Sequence, residues 1–364
     1  MTLYFSSFRS SNWEIYSATR TGRGQPWNTP VIETAFSDAT ATDDQPCPSA
    51  NGLEFYFSST RAGGLGSSEI LRSTRPSTTA PWSVPTFVTE LNSSAGESSP
   101  TLTADGLTIY LLSARVGAPN PPNNAIFVAT RPNASTAWST PVLVTQLATT
   151  STHRDVDVSG NGNEILYTRF NSAISRIEVV QARRAKPTDP FGTPVVLSEF
   201  ATVGTSLGVY SVSVSRDRTE MFLAAGFATA AGGQEILSTR FTGIGQDGLA
   251  TTSSPLRIAF RDGNGAGNTF VGTFALGDTG FALGSRTVPL DPDPLFVAAW
   301  GGVAGITTGY LGVLDAQGEA TALVGPSIPA LTGIKVYTGF FSLDGAQPFG
   351  VRTISNSIAL EFLP

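Results

Sequence analysis

Apolar and polar residues alternate along most of this chain, in short runs closed by Gly, Pro, Asn or Asp. Alternation with period two, broken by turn chemistry, predicts β-strands half-buried on one face. The clearest stretch runs from Asp44 to Pro85. It holds a Pro-containing run, the turn Asn51-Gly52, the aromatic run Leu53-Glu-Phe-Tyr-Phe-Ser, a Gly-rich loop, a run ending in Thr74-Arg75, and a Trp82-Ser-Val-Pro85 step. The following unit repeats this order with runs at Ser99 to Ala104, Leu107 to Ala114, Ala125 to Thr130 and Pro141 to Gln146, and Asp105-Gly106 as its tight turn.

The order recurs with a fixed period. Trp27, Trp82, Trp138 and Phe191, each three residues before a Pro, are 55, 56 and 53 residues apart. The run starts Pro46, Pro100, Val156 and Val212 are 54, 56 and 56 residues apart. Four strands per repeat, arranged around an axis, predict a β-propeller. About five blades are recognisable. The first begins at its second strand, three follow complete, and the fifth lacks the Trp-x-x-Pro strand. A ring with two incomplete end blades is expected to be strained or open, completed by a missing N-terminal segment or covered by the C-terminal region.

The pattern P-x-x-[ST]-x-[DN]-G-x-x-x-[YF]-[FL]-x-S-x-R, followed by [DE]-I-[YLF]-x-[AS]-T-R, resembles the TolB-type, WD-like propeller repeat over about residues 2–241. The resemblance implies the fold and no particular activity. Propellers of this type occur attached to prolyl-oligopeptidase-like hydrolases, and some lyases share the fold. Here no α/β-hydrolase pattern or Gly-x-Ser-x-Gly elbow follows, and a single His cannot supply a multi-histidine metal site.

The repeat stops near residue 242. Residues 243–254 read as a Gly/Ser/Thr linker. From 255 to 364 the runs Leu256–Phe260, Thr269–Ala275, Leu295–Ala299, Gly309–Leu314, Ala320–Leu323, Lys335–Phe341 and Ser357–Phe362 predict a small β-sandwich. That tract resembles a terminal module of secreted myxobacterial and planctomycete proteins. The fold class expected is therefore all-β, with a propeller at 1–242 and a sandwich at 255–364.

Length supports two domains, since 364 residues exceeds the roughly 250–300 at which single cores stop growing. Charged residues make up 14% of the chain and the net charge is −6, which excludes a phosphate-binding basic surface and hence nucleic acid as partner. No apolar run reaches the roughly 18 residues of a membrane-spanning helix. The single cysteine, Cys47, reads as a small buried hydrophobe. Abundant Thr, Ser, Ala and Gly and only two lysines suit an extracellular, cell-surface or periplasmic protein. No signal peptide is present, and an opening at Met1-Thr-Leu-Tyr-Phe inside a strand reads as an N-terminal truncation.

Candidate chemistry lies where the first strands begin. Asp43, Asp44, Glu97, His153, Arg154, Asp155 and Tyr210 precede the matching starts Pro46, Pro100, Val156 and Val212, and should crowd one mouth of the channel. They could bind a cation, a sugar or a peptide terminus, or form a solvated rim. Arg61 could reach Glu69 across its loop, and the Trp series is expected to pack between blades. Asp262, Asn264 and Asn268 alternate as calcium-loop oxygens do, without the closing Glu of an EF-hand, or simply form a Gly-rich turn. Asp291-Pro-Asp293-Pro reads as a rigid turn. The function expected is a non-catalytic exported protein binding a protein, peptide or glycan at the channel mouth, with no cofactor, or with calcium at the Asp262 loop. A carbohydrate-active enzyme and a structural surface component are the alternatives.

Overall fold

The computed structural model describes residues 1–364 apart from 23–24, 120–122, 185, 205–207, 216–219, 227–233, 241–242, 248–255, 263–266, 277–280, 284–285, 304–306, 316–318, 325–334, 348–350, 355–357 and 362–364. Five antiparallel sheets follow one another. They are β1 (Thr2–Ser7), β2 (Glu14–Thr19) and β3 (Val31–Ile32); β4 (Asp43–Pro48), β5 (Glu54–Ser59), β6 (Glu69–Thr74) and β7 (Thr86–Phe87); β8 (Glu97–Leu102), β9 (Thr108–Ser113), β10 (Ala125–Thr130) and β11 (Val142–Leu143); β12 (His153–Val158), β13 (Glu164–Asn171), β14 (Arg176–Arg183) and β15 (Val195–Val196); and β16 (Val209–Val214), β17 (Glu220–Gly226) and β18 (Gln234–Arg240). Among the described residues this is an all-β propeller of five blades with three, four, four, four and three strands, as the repeat count predicts.

One device, repeated per blade, explains the sequence motif. Gly52, Gly106 and Gly162 adopt φ of 69°, 68° and 72°, which only a residue without Cβ takes easily in the turn from first to second strand. Their carbonyls accept from Arg75, Arg131 and Arg184 Nε at 2.6, 2.8 and 2.7 Å. Each guanidinium then lies over the aromatic ring that follows: Arg75 on Trp82, Arg131 on Trp138 and Arg184 on Phe191, 4.1–4.3 Å from the centroid. In blades 3 and 4 the ring in turn meets an aromatic on the second strand of the preceding blade, whereas Trp82 of blade 2 meets Phe36 and Phe55. Trp138 meets Tyr56 at 6.2 Å and Phe191 meets Tyr110 at 6.2 Å.

The same joint brings the two end blades together. Arg20 lies over Trp27 of blade 1, and Trp27 meets Phe222 of blade 5 at 6.1 Å. Phe222 is the third residue of β17, as Tyr56 is of β5 and Tyr110 of β9. The expectation of an open ring is thus corrected at this contact: the seam uses the ordinary inter-blade joint. Blade 4 has Leu166 at the equivalent third position, and the blade after it has no Trp-x-x-Pro aromatic to receive.

The chain divides into two compact units, Met1–Ser213 with Phe222–Leu237, and Val214–Met221 with Ser238–Pro364. In the second, β19 (Gly243–Asp247), β20 (Leu256–Arg261), β26 (Glu319–Val324) and β24 (Thr307–Thr308) form one antiparallel sheet in the order β19-β20-β26-β24. The other sheet runs β25 (Leu311–Val313), β21 (Thr269–Ala275), β27 (Lys335–Leu343), β28 (Val351–Ile354), with β29 (Ile358–Glu361) also on β27. A hairpin of β22 (Phe281–Leu283) and β23 (Arg286–Val288) completes the strands. Ile258, Phe260, Ala322 and Val324 of the first sheet share one buried core with Phe270, Phe274, Val336 and Phe340 of the second.

Two local readings change here. Gly243–Asp247, expected within a linker, is a strand whose backbone pairs with β20 from Gly243↔Arg261 to Asp247↔Arg257. The run at Leu295 is not a strand but the short helix α1 (Pro294–Ala298). Asp293 caps it by accepting from Phe296 N at 3.0 Å, and Pro294 occupies its first turn.

Candidate functional site

The innermost strands β4, β8 and β12 are interrupted at the same level. Pairing skips from Asp44 to Cys47, from Ser98 to Thr101, and from His153 to Asp155. Pro46 and Pro100, which have no N–H to give a ladder, sit in the first two interruptions. Gln45 and Ser99 take φ of 56° and 49°, in the left-handed region that non-glycine residues avoid. Such bulges re-aim side chains, and backbone strain of this kind gathers at functional sites.

The bulges tie the inner strands together. Gln45 N donates to Ser6 Oγ at 2.9 Å, and Ser99 N donates to Gln45 Oε1 at 2.9 Å. Ser99 Oγ donates to the Arg154 carbonyl at 3.4 Å. Asp155 accepts from Val156 N, from Ser211 Oγ and from Val212 N. Hydrogen bonds therefore run from blade 1 to blade 5 through Ser6, Gln45, Ser99, Asp155 and Ser211. Asp155 and Ser211 occupy the position of Gln45 and Ser99 in their own strands. Of this set sequence reasoning named Asp155 alone; the missed signal was a polar residue just before each of Pro46, Pro100, Val156 and Val212.

The seven candidates separate into two groups. Asp43, Glu97 and His153, the first residues of their strands, are fully buried. Asp43 pairs with Arg61 at 2.7 Å and accepts from Asp38 N. Glu97 pairs with Arg115 at 3.1 Å and accepts from Ser93 N, Ser93 Oγ and Ser113 Oγ. His153 Nδ1 lies 3.0 Å from the Asn124 carbonyl oxygen, and burial lowers its pKa so that the ring is neutral. None of these three presents itself to solvent, so they do not line a mouth. They hold each inner strand to its neighbours.

Arg61 thus pairs with Asp43, not with Glu69, although antiparallel pairing sets both acids opposite Ser59, one on each neighbouring strand. Glu69 accepts instead from Gly66 N in its own loop. The pairing is reproduced in the chain's own repeats. In blades 2 and 3 arginine and acid occur together, as Asp43/Arg61 and Glu97/Arg115. Blade 4 replaces both, with His153 and Asn171, and blade 5 with Val209 and Phe227.

Asp44, Arg154, Asp155 and Tyr210 form the second group. Asp44, Asp155 and Tyr210 are half-buried, and Arg154 is exposed. Burial raises the Asp44 carboxyl above the usual range, opposed by hydrogen bonds from Ser6 and Gln45 N. Burial pushes Asp155 further, to about 6, against its bonds from Ser211, Val212 and Val156. Among the described residues no carboxylate lies within ion-pairing distance of Arg154. Tyr210 contributes its carbonyl to Thr168 Oγ1 at 2.9 Å.

Asn264 lies outside the described residues. Asp262 is buried, accepts from Ser342 Oγ at 2.6 Å and lies 3.3 Å from Arg352 Nε, while the Asn268 carbonyl accepts from Leu314 N. Among the described residues no group of three His, Cys, Asp or Glu side chains is placed to hold a metal, and no helix is long and apolar enough to cross a membrane.

No protein-family model matches the chain, and no curated protein matches it in sequence. Solved structures are similar at low identity. TolB from Acinetobacter baumannii aligns over 89% of this chain at 10% identity with a TM-score of 0.40, and the chain covers 63% of TolB. An α-L-arabinofuranosidase from Podospora anserina, in complex with cellotriose, aligns over 66% of this chain and 86% of its own at 11% identity, TM-score 0.43. The arabinanase Arb43A of Bacillus subtilis aligns over 66% and 89% at 12% identity, TM-score 0.41. At these values the fold assignment rests on the chain's own sheets.

Proposed function

We propose that this is an exported, non-catalytic binding protein whose propeller receives a protein, peptide or glycan segment at the bulged inner strands. Asp44, Arg154, Asp155 and Tyr210 are the contacting residues. The observation that carries the reading is Arg154: an exposed guanidinium, without an ion-pair partner among the described residues, raised on a bulge beside a half-buried carboxyl. A planar cation so placed suits bidentate contact with a carboxylate or hydroxyl-rich ligand. No resident cofactor is invoked.

The test is a thermal-shift and calorimetric screen of peptides and acidic or neutral oligosaccharides, repeated on Arg154→Ala. Stabilisation by one class, lost in the variant, supports the reading. Failure of every class to bind the folded protein would leave the inner strands as scaffold.

A second reading, a carbohydrate-active enzyme, is favoured by Asp155, whose pKa of about 6 suits a general acid near neutral pH. Release of reducing sugar from a polysaccharide, abolished by Asp155→Asn while binding persists, would establish it.

A further inference from the structure

The inner strands of blades 2, 3 and 4 start on one plan. Asp43 N donates to Trp13 O at 2.9 Å, Glu97 N to Ser68 O at 2.9 Å and His153 N to Asn124 O at 3.1 Å. Each acceptor stands just before the third strand of the preceding blade. In blades 2 and 3 an arginine then fastens the entry. Arg61 Nη2 donates to Phe36 O at 2.7 Å while it pairs with Asp43, and Arg115 donates to Leu91 O while it pairs with Glu97.

Blade 4 fastens its entry with a single titratable side chain. His153 stands where Asp43 and Glu97 stand. Leu147 ends the turn Thr145–Leu147 as Phe36 and Leu91 end theirs, each donating its N–H three residues back. The His153 ring is buried, and its Nδ1 lies 3.0 Å from the same Asn124 carbonyl oxygen that accepts from its backbone N–H. The Leu147 carbonyl faces the ring too, yet among the described residues no acceptor lies within hydrogen-bonding distance of the buried Nε2.

A neutral ring with its proton on Nδ1 suits these surroundings, and a charged ring does not. The acid that answers the guanidinium in blades 2 and 3 is the residue His153 replaces. The charge facing it is a cation, Arg169, opposite it in the pairing of β12 with β13, and exposed Arg154 follows in the chain. Glu178 of β14 is held by Arg169 at 3.4 Å and Asn171 at 2.8 Å, and Asp155 by Ser211 and Val212. Tyr167 lies against the ring, centroids 5.1 Å apart, with its hydroxyl pushed up to about 12 and so neutral. Asn124 to Ile126 and Thr145–Leu147, on the blade 3 side, carry no charge. The two carbonyls favour a charged ring, but burial and Arg169 outweigh them.

We propose that His153 is an acid-released latch: neutral, it holds the start of β12 to blade 3; protonated, it leaves its site and frees the bulge that carries Arg154. Folding favours the neutral ring. The latch is therefore at full strength above pH 6.5, the ordinary histidine value, and weakens as pH falls below it. It operates whether or not Arg154 contacts a ligand, and its test needs none.

His153 is the only histidine in the chain, so one set of imidazole signals reports it in the full protein. Long-range nitrogen–proton NMR should show Nδ1 protonated and Nε2 bare at neutral pH, with a titration midpoint below 6.5 that returns to about 6.5 in urea. Phe170 N donates across the same entry, to Thr152 O at 3.0 Å. Native-state amide exchange, corrected for intrinsic rate, should show protection at His153 and Phe170 falling by up to about tenfold per pH unit below 6.5, while Asp43 and Glu97 keep theirs. His153→Asn, whose amide can still donate to Asn124 O, should abolish this acid response. Arg169→Gln leaves the latch in place and should raise the midpoint, moving the exchange profile with it; these two profiles decide the matter where His153→Asn does not fold. A folded midpoint at or above 6.5, acid loosening of all three entries alike, loosening that survives His153→Asn, or a midpoint indifferent to Arg169→Gln would overturn the proposal.

Discussion

Arg131 is the most heavily engaged side chain of the repeated joint, and its removal tests whether that joint holds the blades. It is 1% exposed on its side chain and pairs with Glu54 of the preceding blade. It also donates to the Gly106 carbonyl and to Ala134 O, and lies 4.3 Å from the centroid of Trp138. Breaking a buried ion pair by removing one partner costs about 3–5 kcal/mol. The lower end applies because Arg72 remains on Glu54. The lost stacking and the stranded Gly106 carbonyl add about 1–2 kcal/mol, so Arg131→Ala should cost about 4–5 kcal/mol. Arg75→Ala is the control. Arg75 stacks on Trp82 and donates to Gly52 O, but among the described residues no ion pair anchors it, so about 1–2 kcal/mol should be lost. Urea unfolding followed by tryptophan fluorescence reads both, with Trp138 reporting at the altered joint. If the two variants fall within about 1 kcal/mol of each other, the inter-blade ion pair contributes nothing net and the reasoning fails.

Glu97→Gln should cost about 2–4 kcal/mol in chemical denaturation, because Arg115 keeps its charge without its partner; a ligand affinity lost without loss of stability would instead restore Glu97 to the binding site. Asp155, with a folded pKa of about 6 against 3.8 unfolded, contributes most to stability below pH 4, and that contribution is lost as pH rises through 6. The loss is about 3 kcal/mol, read as the difference between pH-stability curves of the protein and Asp155→Ala; parallel curves would refute the raised pKa. Phe222→Ala should cost about 2 kcal/mol and red-shift emission from Trp27, whose ring it touches; an unchanged spectrum would show that the seam is made elsewhere.

The blades were legible because short-range chemistry marks them: Asn51-Gly52 and Asp105-Gly106 make the turns of blades 2 and 3, and the Trp-x-x-Pro steps and alternating runs keep one period through the fourth. The partner of Arg61 was not legible. Antiparallel pairing sets both Asp43 and Glu69 opposite Ser59, on its two sides, and neither spacing nor residue type says which one the guanidinium takes. Burial decided the fate of the candidate residues, and it too is invisible in one sequence: Asp43 and Asp44 are neighbours, yet one is consumed by Arg61 and the other stays half-buried beside Ser6. The strained Gln45 and Ser99 carry no warning in their residue type. Helix α1 was hidden because Leu295 to Ala299 is apolar throughout, and only the Asp293 cap before it signals a helix.

Because the clamps on Trp138, Phe191 and Trp27 each close on the second strand of a neighbouring blade, a repeat of about 55 residues is not complete by itself. The joint is nonetheless the same at three boundaries, with Tyr56, Tyr110 and Phe222 as interchangeable receiving surfaces. A chain that gained or lost one whole repeat at those boundaries would therefore meet a familiar surface. Blade number could then drift by duplication or deletion of whole units, whereas a cut made within a unit would orphan a clamp on one side and its receiving ring on the other. Leu166 marks the one boundary where both halves have been surrendered together.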